Sequence, residues 1–169
     1  MDSPPDTRFP GPYQFDSDTL SITPETVTLA QWVEAHLGPR ARVVTDRFTA
    51  LGLTAYAEAI TPMQAGNGVG PPYANIWYAP RPPTPALISL MEQQQDDYLA
   101  VDVRDAQYYT TTGTPLFYTG EPDRVPLQNI TRLAHWPWLQ LIYSSQHYRL
   151  YKIDFHAYFL WYPANANDH

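Results

Sequence analysis

Residues 23–47, TPETVTLAQWVEAHLGPRARVVTDR, hold a helix, a stop and a strand in succession, and their reading decides the fold class. Thr23-Pro24-Glu25 presents a capping hydroxyl, a proline for the first helical position and an acid for the first turn. Leu29, Val33 and Leu37 recur at i, i+4 and i+8, which lines one face of a helix with apolar side chains. Gly38-Pro39 then stops it, as a C-terminal glycine followed by a helix breaker does. Arg42-Val43-Val44-Thr45-Asp46 is short, apolar and rich in β-branched residues, the pattern of a buried strand.

The alternation continues beyond Arg47. Phe48, Leu51, Ala55 and Ala59 predict a helix over residues 47–59, followed by a Gly/Pro loop over 61–73 and a strand over 74–78. Thr84-Pro85 repeats the cap-plus-proline opening, and Leu87, Ile88, Leu90 and Met91 carry a helix to about Gln95. Tyr98-Leu-Ala-Val-Asp-Val103 is the clearest strand in the chain. A polar, aromatic loop over 105–123 and a short helix over 126–133 come next. Residues 139–143 and 148–155 flank Ser144-Ser-Gln-His147, a spacing that predicts an antiparallel hairpin. The expected fold is therefore α/β: a Rossmann-like three-layer sandwich, its sheet mostly parallel with a C-terminal antiparallel hairpin. The expected organisation is an extended, Pro-rich lead-in over 1–18, one α/β domain over 19–162 and a disordered tail over 163–169.

Composition removes several classes of function. Seventeen acidic against ten basic residues leave a net charge of −7 with no basic stripe, which argues against nucleic acid as a partner. The absence of cysteine excludes disulfide frameworks, thiolate metal sites and thiol nucleophiles. No run approaches the ~20 apolar residues needed to span a bilayer. The basic residues are nine Arg and one Lys, a bias that fits a GC-rich genome.

Two strands end alike, in Thr45-Asp46-Arg47 and in Asp102-Val-Arg104-Asp105. Ligands of open α/β sheets sit outside the carboxyl ends of the strands. If these strands are parallel neighbours, Asp46, Arg47, Asp102 and Arg104 converge there as candidate ligand-binding residues. Such an acid–guanidinium cluster suits a sugar hydroxyl array or a phosphate, and the plainer reading is a structural ion-pair network. Glycoside hydrolysis needs two acids at set separation, and Asp96, Asp97, Asp102 and Asp105 supply candidates in number only. Asp154 and His156 would share a strand face, but no third metal ligand stands at fixed spacing. Gly66-Asn-Gly68-Val-Gly70 lacks the following helix of a dinucleotide fingerprint, because Pro71-Pro72 come next and are read as forbidding a helix start. No Gly-x-Ser-x-Gly elbow exists. No catalytic residue, metal or cofactor is assigned.

Ten of the twenty-four aromatic residues fall between Trp136 and Tyr162. Exposed Trp and Tyr faces are stacking platforms for sugar rings, which makes Trp136 and Trp138 the candidate platform. The plainer reading is a sheet built from aromatics. The segment 155–162 is of strand length.

Several motifs in order resemble a known family. Ala30-Gln-Trp32-Val33 through Val43-Val44-Thr45-Asp46-Arg47 is followed by Tyr98-Leu-Ala-Val-Asp102-Val-Arg104, then Phe117-Tyr118-Thr-Gly120-Glu121-Pro122. Leu141-Ile-Tyr143-Ser-Ser and Tyr148-Arg-Leu150-Tyr151-Lys-Ile153 complete the series. Together they resemble an extracytoplasmic domain of actinobacterial multi-pass membrane proteins of the GT-C glycosyltransferase-like type. Ala57 stands where that pattern has glycine. The resemblance implies an α/β domain on the outer face of the membrane, attached to a parent transmembrane region. It also implies that chemistry belongs to the membrane part, near a lipid-linked sugar, and assigns none to this domain. The expected function is an accessory domain that binds glycan or positions substrate. A carbohydrate-active enzyme using the strand-end acids and a protein-interaction module are the alternatives.

Overall fold

The computed structural model describes residues 22–62, 71–107 and 125–165. The lead-in over 1–18, the Gly66–Gly70 loop, most of the 105–123 loop with its Gly-Glu-Pro motif, and residues 166–169 of the tail lie outside them.

The chain opens with α1 (Pro24–Leu37), capped by Thr23, whose hydroxyl accepts the Thr26 N–H at 3.2 Å. Gly38 ends the helix at φ 81°, backbone that glycine adopts without strain. Strand β1 (Val43–Val44) leads to α2 (Arg47–Ala57), with Asp46 as its cap. Helices α3 (Pro71–Tyr78) and α4 (Pro85–Gln94) follow, then β2 (Tyr98–Asp102) and a 3-10 turn over Val103–Ala106. The last part holds α5 (Leu127–Leu133), β3 (Leu139–Ser144), β4 (Tyr148–Ile153) and α6 (Phe155–Asn165).

The sheet runs β1-β2-β4-β3. Only β1 and β2 are parallel; β2–β4 and β4–β3 are antiparallel. The sheet is thus mixed, not mostly parallel. The hairpin forms as its spacing predicts, but its second strand docks directly on β2. It therefore supplies half of the sheet's four strands.

Residues 74–78, expected as a strand between those at 42–46 and 98–103, belong to α3. A short apolar run carries no period that separates strand from helix. Nor do Pro71 and Pro72 forbid a helix start: they occupy the first turn, where backbone N–H groups have no helical acceptor to lose. The 155–162 segment is also helix. Asp154 caps it, accepting the Ala157 N–H at 2.8 Å, so Asp154 and His156 do not share a strand face. The helix reaches Asn165, so residues 163–165 are helical and not part of a disordered tail.

Alternate strand residues feed two cores. Val43, Ala100, Tyr148 and Leu150 meet Leu29, Ala30 and Val33 of α1 and Leu53 and Ala57 of α2. Val44, Leu99, Val101, Tyr151 and Ile153 meet α3, α4, α5 and Tyr158 of α6 on the other face. The period-2 alternation of a strand sends neighbouring side chains to opposite sides, so one sheet separates two helix layers. Gly52 lets α2 approach α1 closely: a Cβ there would overlap Thr26 Cγ2.

Candidate functional site

The parallel pairing of β1 with β2 brings the two strand ends together, as the sequence suggested. Asp46 follows β1 and is 1% exposed, while Asp102 closes β2 at 2%. Asp46 Oδ1 accepts the N–H groups of Phe48 at 2.8 Å and Thr49 at 3.0 Å, and Thr45 Oγ1 donates to Oδ2 at 3.3 Å. Burial first, and then the charge of Asp102, push the Asp46 carboxyl up to about 6. The capping bonds from Thr49 and Phe48 oppose that rise without cancelling it.

Asp102 seats Arg104. Its Oδ2 meets Arg104 Nη2 at 2.6 Å, its Oδ1 meets Nε at 2.9 Å, and Oδ1 also accepts the Arg104 backbone N–H at 2.9 Å. Burial alone would lower the guanidinium pKa. The hydrogen bonds and charge of Asp102 outweigh that and hold it above its ordinary value. Nη2 continues to the Tyr148 hydroxyl at 2.9 Å, with the guanidinium carbon 5.3 Å from that ring's centre. The Tyr148 hydroxyl reaches Thr26 Oγ1 at 2.7 Å, and Thr26 reaches Thr23 Oγ1 at 2.9 Å. Burial and then Asp102 raise the phenol pKa. A continuous polar chain therefore joins β2, β4 and the first turn of α1.

Glu25, beside Thr26, extends this network to the hairpin turn. It accepts the His147 N–H at 2.9 Å, meets His147 Nδ1 at 2.7 Å and also accepts the Ser145 hydroxyl. Burial raises the Glu25 pKa, but these bonds and the His147 charge prevail and bring it down to about 2. Serine, histidine and an acid meet here without forming a triad. The Ser145 hydroxyl donates to the carboxylate and not to the imidazole, and a carboxylate brought down to about 2 is too weak a base to activate it.

The other sequence candidates go elsewhere. Arg47 is half-buried at the start of α2 and, among the described residues, makes no ion pair with the cluster. Trp136 and Trp138 lie in the core at 7% and 1% exposure, stacked on each other at 4.9 Å. Trp138 also meets the Tyr158 ring edge-on at 5.1 Å. Neither indole presents an open face to a sugar ring. Asp96 is fully buried in the connection between α4 and β2, held by Arg42 Nε at 3.0 Å and the Tyr73 hydroxyl at 2.7 Å. Asp105 is fully buried in the 3-10 turn.

Sequence reading missed Thr26, Tyr148, Glu25, Ser145 and His147. Their one local signal was Glu25 in a first turn, which marks a helix start and says nothing of a hairpin so far along the chain. Among the described residues no group of three or more His, Cys, Asp or Glu is placed to hold a metal ion. None of the described helices is long and apolar enough to cross a membrane. No protein-family model matches the chain, and the search of curated proteins returns no significant relative.

Proposed function

We propose that this chain is an extracytoplasmic accessory domain that performs no chemistry itself. It would hold a glycan, or the sugar of a lipid-linked donor, for a membrane-embedded glycosyltransferase of the same parent protein. One observation carries the non-catalytic part: both strand-end acids are buried and engaged, Asp46 as the cap of α2 and Asp102 as the seat of Arg104. An acid that protonates a glycosidic oxygen must face its substrate within hydrogen-bond reach. Here the carboxylates face protein donors and brace a scaffold. The placement rests on the ordered motifs at residues 30–47, 98–104 and 141–153, which resemble that family of membrane proteins.

Titration with cell-wall oligosaccharides and a lipid-linked sugar tests this reading. The half-buried Trp32 and Trp161 serve as fluorescent reporters. A saturable change supports it, and silence across a broad panel counts against it.

A carbohydrate-active hydrolase is the second reading. The observation favouring it is the Asp46 carboxyl, raised to about 6 beside a second acid, as in a general acid. Loss of a measurable hydrolytic activity in Asp46→Asn, with the fold intact, would favour it over the first. Full activity in that variant would remove it.

A further inference from the structure

The connector from α3 to α4, Ala79-Pro80-Arg81-Pro82-Pro83-Thr84, borders a cavity of about 370 Å3. It lies apart from the strand-end cluster. Pro82, Pro83 and Leu87 form its apolar wall, and Asn75, Arg81 and Thr84 are its polar members. The volume falls within the roughly 300–1,000 Å3 range of small-molecule sites.

The frame of the cavity is fixed from behind. Asn129 Nδ2 donates to the carbonyls of Trp77 at 2.8 Å and Tyr78 at 3.0 Å. Arg132 Nη2 donates to the Ala79 carbonyl, and the Tyr158 hydroxyl donates to that of Pro83. The proline on each side of Arg81 restricts its backbone, so the guanidinium is presented from a stiff stem. These carbonyls are engaged without any ligand, and a ligand therefore meets walls that are already formed.

Arg81 is the one charged residue among the described residues lining the cavity. Arg42 and Arg104 each have a carboxylate partner. Among the described residues Arg81 and Arg132 have none. Arg132 lies half-buried behind Ala79, over the Trp136 ring at 5.2 Å, and burial lowers its pKa with no acid to offset the shift. One guanidinium without counter-charge, that of Arg81, thus lines a cavity whose wall is largely apolar, and that of Arg132 sits behind Ala79. A planar guanidinium fork matches an oxyanion, and the prolines and Leu87 match a hydrocarbon body.

We propose that the cavity between α3 and α4 binds a small amphiphile, its oxyanion head on Arg81 and its apolar body against Pro82, Pro83 and Leu87. The inference stands apart from the glycan reading, since it needs neither a sugar nor a membrane partner.

Amide NMR spectra of the whole chain, titrated separately with octyl phosphate, inorganic phosphate and octyl glucoside, test it. Octyl phosphate, kept below its micellar concentration, shifts the amides of Ala79, Thr84 and Leu87 saturably. It binds at least about tenfold more tightly than either control, because each control lacks one half of the recognition. Arg81 is exposed, so Arg81→Gln keeps the fold and weakens octyl phosphate about tenfold, while Arg81→Lys retains most of the affinity. Equal binding of inorganic phosphate overturns the apolar half of the proposal, and equal binding of octyl glucoside overturns the anionic half. No saturable shift at those amides, or unchanged affinity in Arg81→Gln, overturns the whole.

Discussion

Glu25 and His147, 122 residues apart, are joined twice: the carboxylate accepts the His147 backbone N–H at 2.9 Å and meets the imidazole Nδ1 at 2.7 Å. With the Ser145 hydroxyl as a third donor, one side chain in the first turn of α1 holds the whole β3–β4 turn. Glu25→Ala should therefore lower stability by about 1–3 kcal/mol, the cost of leaving hydrogen-bonding groups unpaired. Urea unfolding measures it, and the hairpin amides should lose hydrogen-exchange protection first. An unchanged midpoint would show that the clamp contributes nothing.

Stability should peak on the acid side of neutrality, because two carboxyls act in opposite directions. Asp46 has a folded pKa of about 6 against an ordinary 3.8, so the folded state binds the extra proton. Its contribution is full below 3.8 and is lost as pH rises through about 6. Glu25 has a folded pKa of about 2 against 4.5, so its contribution is full above 4.5 and is lost as pH falls toward 2. Urea midpoints between about pH 3 and 8 trace both limbs. Asp46→Asn keeps a capping side chain and flattens the limb between 3.8 and 6; a limb unaltered in that variant would assign it to other groups.

Arg104→Gln leaves Asp102 buried beside Asp46 without its counter-charge. The expected loss is about 3–5 kcal/mol, the range for one broken partner of a buried pair. Asp102→Asn with Arg104→Gln should cost less than the sum of the two single changes. Strict additivity in thermal or urea unfolding would mean that the 2.6 Å contact carries no coupling.

Gly52→Ala should destabilise by about 1–3 kcal/mol, since the added methyl overlaps Thr26 Cγ2 and overpacks the α1–α2 contact. Thr26 has little freedom to yield, because its hydroxyl is bonded to both Tyr148 and Thr23. Adding Thr26→Ser removes the clashing methyl and keeps the hydroxyl, so the double variant should recover most of the loss. A double variant no more stable than Gly52→Ala would place the cost elsewhere.

Elements with strong local signals were legible. Thr23 and Thr84 cap their helices as read, and the hairpin follows its loop spacing. Two short apolar runs were not. Residues 74–78 and 155–162 carry no helical or strand period of their own, and packing beneath the sheet makes both helical. The strand-end site was half legible. Proximity of Asp46 and Asp102 follows from the parallel pairing of their strands, whereas its closure by Tyr148 and Thr26 does not.

The amino-acid sequence by itself determined the α/β class, the caps, the hairpin and the identity of the acids at the strand ends. These depend on hydrogen bonds and periodicities that span a few residues. Only the tertiary structure decided that β4 docks on β2 and makes the sheet mixed, that Trp136 and Trp138 vanish into the core, and that Glu25 clamps a distant turn. Each of these depends on burial and bonding between segments far apart in the chain, and local pattern holds no record of which segments become neighbours.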